Sequence, residues 1–277
     1  MHWRFSVLAS GSLGNACLLQ AGGFGVLIDA GIGPRILTQR LNTVGAQWTD
    51  IHAVLLTHTH ADHWNDRAMN AIASRSTPLF CHSTHVNDLM PRSEAMAEWE
   101  RVGAVNRYEI AEPFVVAPHI RVLPILLDHD SELTFGFRIE CQQNVYRRGM
   151  VIGYLADLGC WQISQLEAVA DVDLLALEFN HDEQLLRRSR RPPQLIQRVL
   201  GNRGHLSNDQ AAEFLANWFR CRRRSSTWNL VQLHLSRDCN RSELAQAAAN
   251  GVIQEFDARG SLRTSNQFEV CSVCGET

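Results

Sequence analysis

Lysine is absent from this chain: all 26 basic residues are arginine. Against 29 acidic residues they leave a formal net charge of −3, so no global excess of positive charge draws the chain toward nucleic acid. Any such attraction has to be local. Long apolar runs are missing too. No stretch approaches the roughly 18 uninterrupted apolar residues that cross a bilayer as a helix, and the N-terminus lacks a charged start followed by an apolar signal core. The expectation is a cytoplasmic protein without a membrane segment. Cysteine is present but unframed: eight are scattered through 277 residues, a chain far larger than disulfide-stapled secreted domains, which points to reduced thiols. Cys271-Ser272-Val273-Cys274 is half of a zinc-ribbon pattern with no second pair to complete it, so residues 271–277 read as a flexible tail. Repeats, low-complexity tracts and long linkers are absent as well, and a 45% hydrophobic chain of this length reads as one domain over 1–277.

Against this background one segment stands out. Thr57-His58-Thr59-His60-Ala61-Asp62-His63 places three imidazoles and a carboxylate within seven residues, directly after the apolar run 51–56. Such a run reads as a buried strand, and the ligand-type residues fall where it breaks into a loop. A loop can turn alternate side chains toward one point, as a continuing strand cannot, and imidazoles with a carboxylate suit zinc and neighbouring divalent metals. The HxHxDH spacing accommodates two ions. His58 and His60 can address one while Asp62 and His63 address another, which requires further ligands downstream.

Polar residues do end later apolar runs: His129 follows 120–126, Asp157 follows 151–156, and His234 follows Leu230-Val231-Gln232-Leu233. Asp29 likewise ends an early run in Leu27-Ile28-Asp29. With these in order the chain resembles the metallo-β-lactamase superfamily, whose motifs are an early Asp, the HxHxDH loop, a lone His, a lone Asp and a late His. The resemblance implies that one metal takes His58, His60 and His129, a second takes Asp62, His63 and His234, and Asp157 bridges the two, with Asp29 orienting the ligand loop. It narrows at 5–15, at Glu178-Phe179-Asn180-His181-Asp182 and at Gly204-His205-Leu206-Ser207-Asn208. These segments are similar to those of the YycJ/WalJ group, a bacterial branch associated with 5′-to-3′ DNA exonuclease activity and related to phosphodiesterases such as RNase Z. One departure follows the ligand loop. Trp64 comes directly after it, and Asp66-Arg67 replace the small or glycine residue that the family commonly has a few positions later, which bears on the shape of the expected substrate entrance.

Strand-like runs alternate with amphipathic stretches. Strands are expected over 7–19 around a turn at 11–14, and over 25–29, 51–56, 79–81, 120–127, 134–141, 150–156, 174–179 and 229–235. Helices are expected over 34–41, 66–74, 84–90, 94–101, 161–169, 208–219 and 242–250, with Pro34 in the first turn of the first and Ser207 as the cap of the sixth. Residues 144–149 read as a turn and 187–193 as an exposed loop. Such alternation predicts strands covered by helices. With the resemblance it implies an α/β fold, the metallo-β-lactamase αββα four-layer sandwich, with the metal loops along one edge.

Two divalent ions about 3.5–4 Å apart can share a water and lower its pKa toward about 7, making a bridging hydroxide available as nucleophile; Asp62 and Asp157 would hold it. The leaving oxygen of a phosphodiester also needs a proton. His205, in a glycine-containing loop that ends at a helix cap, is the candidate acid and His181 its rival, since imidazole titrates near neutrality. For either, a structural pairing with a carboxylate is the alternative. Ser12 and Asn15, in a glycine-flanked turn, are candidates for positioning a phosphate, and Asn180, Ser207 and Asn208 for further substrate contact. Arginine clusters at Arg187-Arg188-Ser189-Arg190-Arg191 and Arg220-Cys221-Arg222-Arg223-Arg224 flank the Gly204-His205 segment. They could track a nucleic-acid backbone or form solvated surface. His2, His52, His82, His85 and His119 lack comparable partners and read as surface or packing residues. The expectation is a dinuclear metal-dependent phosphodiesterase acting on nucleic acid, foremost a DNA exonuclease. A small-molecule thioester or lactone hydrolase of the same fold and a non-enzymatic metal-binding regulatory module are the alternatives. Zinc leads as the metal, with manganese and iron behind it. Oligomeric state is not legible.

Overall fold

The computed structural model describes residues 1–142, 149–222 and 228–276. The turn expected at 144–149 therefore falls mainly outside the described residues, as do Arg223 and Arg224. The chain opens with strands β1 (His2–Ala9), β2 (Ala16–Ala21), β3 (Phe24–Ile28), β4 (Ala53–Leu55), β5 (Leu79–Cys81) and β6 (Val105–Arg107). A second set follows: β7 (Phe114–Ala117), β8 (Ile120–Leu127), β9 (Thr134–Cys141), β10 (Val151–Leu155), β11 (Leu174–Glu178), β12 (Trp228–Leu233) and β13 (Gly260–Thr264). The last strand, β14 (Cys271–Glu276), returns to the first set. The two sheets run in the orders β14-β1-β2-β3-β4-β5-β6 and β13-β12-β11-β10-β9-β8-β7. In both, antiparallel pairing gives way to parallel: β3 to β6 run parallel, as do β10 to β13.

The layering follows from side-chain alternation on strands buried on both faces. Val7 joins the central cluster between the sheets while Leu8 joins an outer one; Leu18 and Leu19, then Leu27 and Ile28, divide the same way. In β11, Leu174 and Ala176 face the centre while Leu175 and Leu177 pack outward. Successive residues on a strand point to opposite faces, so a continuous apolar run is what a doubly covered strand requires. The outer cluster of the first sheet is completed by helices α1 (Pro34–Thr43), α2 (Asp66–Ala73), α3 (Ser83–Leu89) and α4 (Glu94–Arg101), through residues such as Leu37, Met69 and Trp99. The second sheet is covered by α5 (Ile163–Val169), α8 (Asn208–Cys221) and α9 (Ser242–Glu255), through Leu166, Phe214 and Ala245. Three apolar clusters thus separate four layers, and the fold is the αββα sandwich. Between α5 and α8 lie two further helices, α6 (Glu183–Arg187) and α7 (Pro193–Leu200), which lie beside the parallel strand ends.

Several elements differ from the sequence expectation. Residues 271–276 are not a tail: they form β14, paired antiparallel with β1 from His2↔Glu276 to Val7↔Cys271. Val273 is buried in the central cluster, a contact that stabilises by about 1.5–3 kcal/mol for a well-buried aliphatic side chain. Short, Cys- and Ser-containing segments such as this become strands by pairing with a neighbour rather than by their own pattern. The stretch read as an exposed loop at 187–193 is only partly loop, since α6 ends at Arg187 and α7 begins at Pro193. Among the described residues, no helix is long and apolar enough to cross a membrane.

Candidate metal centre

The carboxyl ends of the parallel strands in both sheets meet at one place, where an open α/β sheet collects its functional groups. After β3 comes Asp29, after β4 the HxHxDH loop, after β10 Asp157, at the end of β11 Glu178, and after β12 His234. Asp29, Asp157 and His234 all take left-handed backbone conformations, with φ of 58°, 57° and 56°. Non-glycine residues in this region are uncommon and cost energy, and here each one turns a chain sharply off its strand so that its side chain enters the site. The loops approach closely. A Cβ on Gly31 would lie 1.8 Å from the Asp62 carbonyl oxygen, and one on Gly204 would lie 2.2 Å from that of Val199. Only glycine fits at either point.

Within the HxHxDH loop, a turn in which His63 N and Trp64 N both donate to His60 O folds His63 back beneath His58, with ring centroids 4.1 Å apart. Asp29, fully buried, fixes this geometry. Its Oδ1 accepts from Thr57 N at 2.9 Å, and its Oδ2 accepts from Thr57 Oγ1 at 2.8 Å and pairs with His63 Nδ1 at 2.7 Å. With Nδ1 held this way, His63 presents Nε2 to the site. His129 is oriented likewise, its Nδ1 2.9 Å from Gly204 O.

Several overlapping sets of ligand atoms result, among them Asp157, Glu178, His205 and His234. Those of His58, His60 and His129 lie within 4.8 Å of one another, as do those of Asp62, His63 and His234. Asp157 stands between them: its Oδ2 is 2.6 Å from His63 Nε2 and its Oδ1 is 3.2 Å from His234 Nδ1, and it also groups with His58. His58 Nε2 is buried with no hydrogen-bond partner among the described residues. An orphaned imidazole nitrogen amid two other imidazoles is the environment a soft-to-borderline cation fills, so the residues fit divalent metal. Electrostatics separate the sets. Burial pushes the His58 imidazole well below its ordinary value, reinforced by His63, and burial also lowers His60 and His129. Burial alone would lower His63 and His234 too. Asp157 and Asp29 instead hold His63 well above the usual range, and Asp157, Asp62 and Glu178 push His234 up to about 10. Asp157, although buried, is held well below the carboxylate range by His234 and His63.

Glu178 was not a site candidate from sequence, yet it underlies the second half of the centre. It is fully buried. Its Oε1 pairs with His205 Nδ1 at 2.7 Å and with His234 Nδ1 at 3.0 Å, while Oε2 accepts from Leu158 N at 2.9 Å and Leu206 N at 3.2 Å. Burial would raise its pKa, but the attraction and hydrogen bonds of the two imidazoles bring it down to about 2. The signal was an acidic residue inside an otherwise unbroken apolar run, Leu174 to Phe179, since charge is buried only with partners. Asp130 was also missed. Its Oδ1 lies 3.3 Å from His129 Nε2 and 3.7 Å from His60 Nε2, and Oδ2 pairs with Arg198.

A family profile for the beta-lactamase superfamily domain matches residues 25–219, well over half of the chain. The chain belongs to the beta-lactamase superfamily. The family and the buried His/Asp clusters together mark this as a divalent-metal site. Among curated relatives, the exodeoxyribonuclease WalJ of Streptococcus pneumoniae (strain D39) is 26% identical over 260 residues, covering 92% of this chain and 90% of that protein. The exodeoxyribonuclease YycJ of Bacillus anthracis is 24% identical over 262 residues with the same coverages. In fold, the chain is similar to the metallo-β-lactamase-fold protein YhfI of Bacillus subtilis, with a TM-score of 0.69 at 15% identity, covering 99% of this chain and all of that one.

The cleft beside these sets has a volume of about 350 Å³. His205, Ser12 and Asn180 line it, but other sequence candidates lie elsewhere. Asn15 is buried beneath the ligand loop, where its side chain bonds Gly11 and Asp62 and approaches His63 Nε2 at 2.9 Å, so its position is one of support for the loop and not a cleft wall. Ser207 caps α8, its Oγ accepting from Gln210 N, and Asn208 is buried against Asn240, which takes both off the substrate surface. His181 is buried outside the cleft with neither ring nitrogen partnered among the described residues, and burial lowers it to about 4. Trp64 does not shape the entrance; it is buried against Trp99. Of the second arginine cluster, Arg220 lies over Phe256 and Arg222 over Trp218, as packing.

Proposed function

We propose that the protein is a metal-dependent phosphodiesterase of the nuclease type, a 5′-to-3′ DNA exonuclease, with two divalent ions at its centre. His58, His60 and His129 would hold one ion, Asp62, His63 and His234 the other, and Asp157 would touch both. Zinc is the first choice, with manganese or iron as alternatives. Bound ions would supply a nucleophile deprotonated near neutral pH and would neutralise charge gathering on the phosphate oxygens. The observation that carries the reading is the Glu178–His205 pair at the edge of the metal sets: an imidazole in the cleft, 2.7 Å from a buried carboxylate, that is not needed to complete either ligand set. Glu178 fixes the tautomer with Nδ1 protonated, which leaves Nε2 as the atom that can exchange a proton with the leaving oxygen. A thioester hydrolase, whose thiolate departs without a proton, has less need of such a donor. The curated relatives named as exodeoxyribonucleases, which align over nearly the whole chain, support the same substrate class.

The test is degradation of 5′-labelled and 3′-labelled single- and double-stranded DNA and RNA, with zinc or manganese added in turn. Stepwise shortening from the 5′ end of DNA is the expected result. Hydrolysis of a thioester or lactone without any nucleic-acid cleavage would move the protein to small-molecule chemistry.

A further inference from the structure

The cleft is not walled by ligands alone. Arg191, Leu195, Arg198 and Val199, from α7 and the turn before it, share the cavity with Asp157 and His205. Two guanidinium groups and two aliphatic side chains are more than hydrolysis of one phosphodiester requires at a centre already rich in metal ligands. They suit a second phosphate and the sugar or base attached to it.

The state of these arginines supports that use. Arg191 Nη2 lies 3.3 Å from Ser236 Oγ and 3.6 Å from Asp238 Oδ2, and Arg198 holds Asp130 through Nε. A guanidinium carries five N–H donors, so each keeps donors for an anion. The side chains are 25% and 57% exposed, and exposed ion pairs of this kind contribute little, so an incoming phosphate can share or displace the carboxylates. Other arginines nearby differ. Arg203 is committed to His129 O and Ser131 O at 2.8 Å each, and Arg187 pairs with Glu183 outside the cleft.

We infer that Arg191 and Arg198 form a second phosphate subsite, which holds the phosphate adjacent to the scissile one and makes a polynucleotide strand, rather than an isolated phosphodiester, the substrate class of this centre. The inference rests on the phosphodiesterase reading above.

Its test is steady-state kinetics of the metal-loaded, full-length protein on a single-stranded oligodeoxynucleotide and on bis-(p-nitrophenyl) phosphate, for Arg191→Gln, Arg198→Gln and, as a control on the outer face of α4 where it pairs with Glu98, Arg101→Gln. For each cleft variant, KM for the oligonucleotide should rise about tenfold or more, as for loss of a charge-assisted hydrogen bond, while kcat falls by less. The penalty on the oligonucleotide should exceed that on the small diester by a similar factor. The slope of log KM against log salt should flatten by about 0.7 per lost phosphate contact, and Arg101→Gln should keep the wild-type KM. Equal penalties on both substrates, an unaltered salt slope, or the same effect from Arg101→Gln would overturn the subsite. Metal analysis guards one further route: if Arg198→Gln loses metal, that arginine serves to hold Asp130 and its assignment falls. If the wild type cleaves neither substrate, the phosphodiesterase reading fails and the subsite with it. If the wild type cleaves both and no split appears, the subsite alone fails.

Discussion

The first sheet delivers its share of the centre from one loop, His58 to His63, whereas the second delivers His129, Asp157, Glu178, His205 and His234 one at a time from separate connections. The supports beneath them are alike. Each half rests on one fully buried carboxylate: Asp29 holds Thr57 and His63, and Glu178 holds His205 and His234. A carboxylate in apolar surroundings is stable only when hydrogen-bonded, so each is both a cost to the fold and a reason for the imidazoles around it to keep one orientation. The difference is one of reach. The loop half can be assembled locally, while the other half exists only once β10, β11 and β12 have aligned. The most damaging substitution should therefore lie where the halves meet.

That residue is Asp157, in contact distance of His63 from one half and His234 from the other. Asp157→Ala should lower nuclease activity by about 10³-fold or more, several kcal/mol of lost charge stabilisation at tenfold per 1.36 kcal/mol, and should reduce metal content. Near-normal turnover with full metal would show that the halves function without a shared ligand.

His205→Ala comes next. A positioned acid or base contributes about 10²–10⁴-fold, and the loss should shrink on a p-nitrophenyl ester, whose leaving group departs without a proton. Metal content should hold, because His205 stands outside both proposed ligand sets. Equal losses on good and poor leaving groups would assign His205 to phosphate binding instead.

The two supports can then be compared directly. Asp29→Asn and Glu178→Gln keep volume and hydrogen-bonding capacity but remove charge, and changes of this kind cost about 10–100-fold in activity or metal affinity. Glu178→Gln should stand at the upper end and Asp29→Asn at the lower, since Glu178 holds two imidazoles, one of them the proposed acid, and Asp29 holds one. Titration of each apo-variant with zinc, followed by rate measurement, separates lost affinity from lost chemistry. Reversal of the order would mean that the loop half depends on its support more than the strand-end half does.

The same asymmetry governs what could be read from sequence. The ligand loop announces itself because four ligand-type residues follow an apolar strand without a gap. Asp157 and His234 were legible as polar residues ending apolar runs. Glu178 is less plain, because it does not end its run; its one sign is an acidic side chain amid apolar neighbours, which is buried only with partners. Asp130, next to His129, had no pattern to set it apart from solvent-exposed acid. In the fold, strands buried on both faces such as β10 and β11 were plain from continuous apolar runs, and helices such as α8 from a cap, whereas the short helices α6 and α7 were not expected. The strands β6, β7, β13 and β14 were not, since all four end their sheets and are short, and pairing supplies what their composition does not. The placement of Ser207 and Asn208 shows the limit of motif reading: a segment can be shared by a group for a helix cap and a buried amide pair as much as for substrate contact.

The smallest effect on activity should come from a contact that ties the halves together away from the centre. His85, on α3, is 3.1 Å from Leu133 O through Nε2, just before β9, and its Nδ1 faces the His82 backbone N–H at 3.4 Å. The neutral tautomer with Nε2 protonated satisfies both, whereas a second proton would set Nδ1–H against an N–H donor. Burial, opposed by the bond to Leu133, holds His85 down to about 4. An unfolded histidine titrates near 6.5, so between pH 6.5 and 4 the unfolded chain binds a proton that the folded chain refuses, and stability falls as pH falls through that window. Above it His85 adds no pH dependence, and below it both states are protonated. On going from pH 7.5 to 5.5 this one group should remove about 1 kcal/mol. His85→Gln, whose amide can still donate to Leu133 O, should lose that increment: the difference in urea-unfolding free energy between the two pH values should be smaller in the variant by about 1 kcal/mol. An identical pH dependence in variant and wild type would mean that the contact between α3 and the second sheet accepts the proton, and that the halves are joined there less tightly than at Asp157.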